Sequence, residues 1–481
     1  MLKYNSISSK RIPLRALLMC ALAGSTLAPA YAQQVPLNPS VTVAKSARNV
    51  SVVNIATPNA QGVSHNVFKQ FDVAKTGVIL NNSAKNATSV IGGAVKGNTK
   101  VQTRAASLIV NEALFATSYL LGKVEVLGQK ADVVIANPNG ISCNGCGFVN
   151  ASRVTLATAK PNFANGQLAS FTVNRGTLTV SGNKVDVSNV DYFDLVGSGI
   201  KVNTSINGKD ILVSAGAQVF EYGPSKVTAP STLASIGPVI AVPSIETSAL
   251  GGISGNNIRL ISSGKHHGVN LSGQLTGYAV DVKADRDINL GKVFSSFAFV
   301  ESKGKITTNG KVTTYWDGRF KGEKIDINSP LSIRRDLAVS ADSSINFLKS
   351  GEASALMSVS LSAPEINIGN SNIDVLYNVS LNADKISQGT NSLIDGKFIY
   401  IVAKKEFNSS GSIVDSSYSR GYVKIDSPKI LSSGTISSNR GYIGLNAINL
   451  DLAGKVSAWD FITITADNIN LRGAINTNTN G

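Results

Sequence analysis

The residues best suited to chemistry in this chain are few. Cys143 and Cys146 stand two residues apart, His266 and His267 are adjacent, and His65 is the remaining histidine. A zinc site needs four ligands, and no histidine lies near the cysteine pair in sequence. A thioredoxin-like dithiol would open a helix, whereas Cys143-Asn144-Gly145-Cys146 sits in a strand-and-turn region. The pair is therefore expected to form a structural disulfide that locks a small loop, with no metal and no cofactor. His266 and His267, between Ser263-Gly264 and Gly268, read as a solvated loop; a haem or metal contact is the weaker alternative. Polysaccharide-cleaving enzymes need clustered acids, often with calcium. The nearest candidates are Asp191, Asp194, Asp281, Asp285 and Asp287, the last three beside Lys283 and Arg286 as ordinary surface acids. The expectation is that the chain is not an enzyme.

Compartment follows from the first 32 residues. Lys3, Lys10, Arg11 and Arg15 precede a largely apolar stretch from Ala16 to Leu27, and Ala30-Tyr31-Ala32 offers small residues flanking a cut before Gln33. This is the layout of a signal peptide, and the apolar run is shorter than the roughly 20 residues a membrane span requires. A lipid anchor on Cys20 would want a small residue where Met19 stands. Loss of the leader's four basic residues takes 45 Lys and Arg to 41 against 30 acids, a formal charge of +11. These cations are scattered rather than run together, so a solvated surface is expected and no nucleic-acid partner. No later stretch reaches spanning length, and the exported chain is expected not to be transmembrane. Its two remaining cysteines would pass through an oxidising compartment, which favours their pairing.

The elements that must carry these residues are short strands. Apolar and polar residues alternate, as in Ile211-Leu212-Val213-Ser214 and Val280-Asp281-Val282-Lys283-Ala284, with turn residues every few positions. From Gly252 an aliphatic-Asn-aliphatic unit recurs, starting at Ile288, Ile306, Ile325, Ile345, Ile366, Ile386, Phe407, Ile430, Ile448 and Ile469, with steps of 18 to 23 residues. Units of about twenty residues cannot bury an apolar face alone and must stack. Leucine-rich repeats share the period but need a Leu-rich consensus and a helical return, which are missing. The expected fold is all-β, a right-handed parallel β-helix of about three strands per coil. Roughly 22 coils at about 4.8 Å would give a rod on the order of 100 Å. A stacked array ends in an atypical capping unit; none is recognisable after Asn476, so the chain is read as truncated or as a short relative of a longer protein.

The segment between the leader and the repeats is denser in specific features. Asn137-Pro138-Asn139-Gly140 follows the strand Asp132 to Ile135. Pro138 fixes φ at the first turn position, Asn139 tolerates the second and Gly140 suits the exit. Residues 134–150, VIANPNGISCNGCGFVN, resemble the secretion domain of the haemagglutinin and haemolysin exoproteins of two-partner secretion systems. Supporting stretches are Val63 to Val73, Gly77 to Ser83, Val110-Asn111-Glu112 and Asp191 to Leu195, in the family's order.

The leader is read as a signal peptide at 1–32 and the repeats as β-helical at 231–481; the resemblance implies a capping and secretion domain at 33–230 between them. It implies recognition by an outer-membrane barrel transporter with periplasmic domains, through a motif that Asn137, Pro138, Asn139 and Gly140 match. The family's other motif, Asn-Pro-Asn-Leu, is replaced by Asn98-Thr99-Lys100-Val101, keeping Asn98 and an aliphatic. The product is expected outside the cell or on its surface. Adhesion to a host or neighbouring cell, through glycan or protein, is the leading activity; haemolysis and the stalk of a truncated contact-dependent inhibition toxin are alternatives.

Overall fold

The computed structural model describes residues 33–223, 226–228, 244–264 and 268–477. The expected leader, the His266-His267 pair and the boundary at residue 230 lie outside them. Strands make up 62% of the described residues, arranged as a right-handed parallel β-helix. Among the described residues the single helical turn is the 3-10 turn Thr99–Val101.

Each regular coil has three strand segments. In one circuit the chain runs through Val293–Ser302, which bends to serve two faces, and Lys305–Thr308, then begins the next circuit at Val312–Thr314. Alternation decides what points inward. On one face Ile288, Ile306, Ile325, Ile345, Ile366 and Ile386 stack in register, each nearly inaccessible. Burial of each such side chain contributes about 1.5–3 kcal/mol. The asparagines between them face outward and link coil to coil, as in Asn346 to Asp326 at 2.9 Å, Asn367 to Asn346 at 2.8 Å and Ser387 to Asn367 at 2.7 Å. The repeated Asn thus caps polar needs along the wall while the aliphatics build a shared interior.

The repeat holds with one slip. Ile430 pairs with Leu450, which pairs with Ile469, so the steps there are 20 and 19 residues. Ile448, expected as the repeat start, is 50% exposed while Leu450 is 2% exposed. A two-residue shift keeps side-chain parity, so alternation alone does not distinguish the two.

The helix has about 17 turns rather than 22, or about 80 Å at the strand spacing. The difference lies in the early circuits, which carry extra segments: 45 residues separate Val63 from its partner Leu108, and 47 separate Asp210 from Asn257.

Those extra segments do two things. Gln34–Pro36 runs antiparallel to Val63–Phe71, and Thr42–Lys45 runs antiparallel to Ser51–Asn54. Together they cover the first coil, whose strand edge would otherwise present unpaired backbone groups. Further on, Lys160–Ala164, Gln167–Val173, Gln218–Glu221 and Lys226–Thr228 form an antiparallel sheet outside the helix. Its Leu168, Phe171, Val173 and Phe220 pack on Val110, Val134, Ala136 and Val196, a second core on the outer surface of the coils. Ala131–Ala136 is consequently buried on both sides, with Val133 and Ile135 inward and Val134 and Ala136 outward. That is why Val133 to Ala136 form a continuous apolar run rather than an alternating one.

Candidate functional site

Asn137 ends the doubly buried strand and is itself buried. Its backbone carbonyl accepts the Gly140 N–H at 3.1 Å, and its side-chain oxygen accepts the Asn139 N–H at 2.9 Å. Its Nδ2 donates to the Ala116 carbonyl at 2.6 Å and to Ser118 Oγ at 2.9 Å in the preceding coil. One side chain therefore closes an Asx turn and ties it to the neighbouring coil. Gly140 has φ of +124°, a conformation open to glycine. Pro138 and Asn139 are half-buried at the surface, where Asn139 Nδ2 donates to the Leu114 carbonyl and its oxygen accepts from Arg175.

Asn98 makes the same arrangement. Its carbonyl accepts from Val101 N–H at 3.2 Å, its side-chain oxygen from Lys100 N–H at 3.1 Å, and its Nδ2 donates to the Ile55 and Asn81 carbonyls, both at 3.0 Å. Val101 is buried where the family motif has leucine. The sequence difference in this motif thus leaves the hydrogen-bond pattern intact, because the pattern needs one Asn side chain and the backbone of the next three residues.

Cys143 and Cys146 follow the Asn137 turn. Ile141–Asn144 is held between Ser118–Leu120 and Thr177–Ser181. The two sulfurs are bonded, with Cα atoms 5.3 Å apart and both residues buried. The bond spans the corner that leads to Gly147–Val149.

The acids do not converge. Asp191 is half-buried and bonded to Lys209 at 2.6 Å, which together with Lys130 holds its carboxyl below the usual range. Asp285 accepts from Gly264 N–H and pairs with Lys303 at 2.6 Å, Asp287 accepts the Lys305 N–H, and Asp281 lies 3.6 Å from Lys283. Among the described residues no three metal-ligating side chains come together. His65 bonds Glu112 at 2.8 Å beside the Phe163 ring.

Asp194 instead belongs to a buried clamp. Arg153 Nε donates to it at 2.6 Å and Thr155 Oγ1 at 2.8 Å, while the guanidinium lies over Tyr222, 4.7 Å from the ring centre. Arg153 also reaches the Gly223 carbonyl, and Tyr222 approaches Asp132 at 3.4 Å. Burial opposes the charge on Arg153, but Asp194 outweighs it and holds the guanidinium above its ordinary value. This cluster fastens the outer sheet to three successive coils. Sequence reading missed it, together with Asn66 and Asn111, buried and mutually hydrogen-bonded inside the strands. The available signal was a polar residue within a doubly buried apolar run.

The TPS secretion domain family model matches residues 29–292. A tRNA nuclease CdiA of Yersinia mollaretii is 40% identical over 276 residues, 57% of this chain and 9% of that protein. A 16S rRNA endonuclease CdiA of Enterobacter cloacae is 33% identical over 358 residues, 73% of this chain and 10% of that protein. The filamentous hemagglutinin of Bordetella pertussis is 34% identical over 307 residues, 61% of this chain and 8% of that protein. The chain thus spans about a tenth of the length of these relatives. The crystal structure of a filamentous hemagglutinin secretion domain superimposes with a TM-score of 0.52 at 34% identity, covering 58% of this chain and 94% of that one. The family match over more than half the chain and the shared coil architecture agree with the turn and strand motifs, so the chain belongs to the TPS secretion domain family, the exported exoproteins of the filamentous haemagglutinin and CdiA type.

Proposed function

We propose that this chain is an adhesive exoprotein exported by an outer-membrane barrel transporter with periplasmic domains. In this reading the transporter meets the surface built on residues 33–230, with Asn137, Pro138, Asn139 and Gly140 as the secretion motif and Asn98 supplying the second turn. The observation that carries the export half is the duplicate hydrogen-bond pattern at Asn98 and Asn137, two turns closed by the same pair of contacts in different sequences. The Cys143–Cys146 bond holds the second shape in place. Adhesion rests on the long regular wall of the rod and on kinship with a filamentous hemagglutinin. The test is attachment of the secreted chain to host and bacterial cells, with red-cell lysis measured alongside. Lysis without attachment would move the chain to the haemolysin reading.

A second reading has its own support, since the CdiA toxins match across the same region. There the rod is the stalk of a contact-dependent inhibition toxin. Co-culture with a strain lacking any neighbouring immunity-like gene decides it: inhibition of that strain favours the stalk, and equal growth favours adhesion.

A further inference from the structure

Between residues 294 and 419 the wall of the rod is indented by a groove of about 720 Å³ that runs along the helix axis. Its floor is a single in-register column. Thr313 pairs with Ser332, Ser332 with Ser354, Ser354 with Asp374 and Asp374 with Asp395, one residue per coil. The flanking positions in these strands point inward, as with Leu331 and Ile333 or Ile373 and Val375, so the floor residues face outward by alternation. The floor thus offers three hydroxyls and two carboxylates at steps of about 4.8 Å. The side wall is the corner of the coils and carries Tyr315, Arg334, Leu376, Tyr377 and Lys397, with Tyr418 standing free at the far end.

The charges in this groove are arranged unusually. Arg334 lies over the Tyr315 ring at 4.9 Å, and Lys397 lies between Tyr377 at 5.8 Å and Phe398 at 5.0 Å. Among the described residues none of Arg334, Lys397 and Asp374 has an ion-pair partner, and Asp395 accepts from Ser416. An anionic polymer would meet the cations on the wall but oppose the carboxylates on the floor. A cationic one would meet the reverse. An uncharged, hydroxyl-rich chain can donate to Asp374 and Asp395, accept from Arg334 and Lys397, and lay an apolar ring face on tyrosine. An extended peptide fits less well: the backbone groups of the floor strands are already consumed in the parallel ladders, leaving no edge for strand addition. The rise per coil is comparable with the length of one pyranose ring, so successive floor residues can serve successive sugars.

We infer that the groove over Thr313, Ser332, Ser354, Asp374 and Asp395 is a binding site for an uncharged linear glycan. It rests on the adhesin reading for its setting and names the ligand class of that activity. The wall is rigid, because every floor residue sits in a ladder bonded on both sides, so little ordering entropy opposes binding.

The experiment presents the secreted chain to a panel of neutral linear oligosaccharides, with sulfated chains, sialylated chains and peptides as comparators, at low and high salt. Binding to a neutral chain that persists in high salt is expected. Ser354→Trp, which fills the groove, should abolish it, and Asp374→Asn and Tyr377→Ala should each weaken it tenfold or more. Glu323→Ala, on another corner of the coils, should leave it unchanged; circular dichroism and secretion level check that each variant folds. The inference is overturned by absence of neutral-glycan binding, by binding that Ser354→Trp leaves intact, or by preference for anionic chains or peptides. Attachment to cells is measured on the same variants. Cells held equally by wild type and Ser354→Trp would defeat the groove while leaving adhesion standing. Groove-dependent glycan binding without cell attachment would defeat adhesion and keep the groove.

Discussion

A single asparagine side chain can replace a four-residue motif because it satisfies three polar groups at once. Asn98 and Asn137 each accept one N–H and donate to the coil before, Asn98 to the Ile55 carbonyl and Asn137 to that of Ala116. Asn137→Ala leaves the buried Ser118 hydroxyl and a turn N–H without partners, a loss of about 1–3 kcal/mol for a stranded buried group. Chemical denaturation of Asn137→Ala and Asn98→Ala should show comparable destabilisation, and export should fall in both. An undiminished yield of Asn98→Ala outside the cell would separate the two turns. The second residue-scale prediction concerns pH. Burial lifts the Asp132 carboxyl above its usual range, against the N–H and charge of Arg153. A folded-state pKa above the unfolded one means that the folded chain takes up a proton first, so stability from this group rises as pH falls through that raised value. Asp132→Asn should remove that rise, read as a flatter dependence of the denaturation midpoint between neutral pH and the carboxylate range. The Asn137 turn was legible in the sequence because proline and glycine mark it. Asn98 was only half legible, since Thr99 and Lys100 contribute backbone alone.

Among the elements, the regular coils were read well and the outer sheet was not. Lys160–Ala164 and Gln167–Val173 alternate like any strand of the helix, and a period of two carries no statement of which sheet a strand joins. What places them outside is the doubly apolar run at Ala131–Ala136, whose outward Val134 and Ala136 need cover. The register near the end of the repeats has a similar origin: Ile448-Asn449-Leu450 copies the consensus, but the ladder takes Leu450. This separates two substitutions of like chemistry. Leu450→Ala should cost about 2–5 kcal/mol through the void it leaves, while Ile448→Ala should stay within about 0.5 kcal/mol as an exposed change. Thermal or denaturant unfolding of the two variants provides the check, and equal losses would argue for the register read from the consensus.

At the scale of the molecule, stability is a sum of neighbouring contacts along one axis. The chain has no ATP to draw on outside the membrane, and each coil that docks on its predecessor releases free energy locally and disfavours return. Folding that starts at the covered first coil and advances coil by coil is therefore able to pull the chain outward. Ile135→Pro removes a ladder hydrogen bond from a strand paired on both sides, and should stall export with the chain caught in the periplasm; normal extracellular yield, measured by fractionation and immunoblot, would count against folding as the driver. The rod's length was overestimated from sequence because insertions in the early circuits were counted as coils. The two antiparallel strands across the first coil have one more effect. Parallel β-rods can polymerise by joining end to end, each copy extending the sheets of the last. With Gln34–Pro36 and Thr42–Lys45 paired antiparallel along the start, that end presents two strands of three and four residues in place of a full parallel edge, which leaves little for the parallel ladder of another copy to extend.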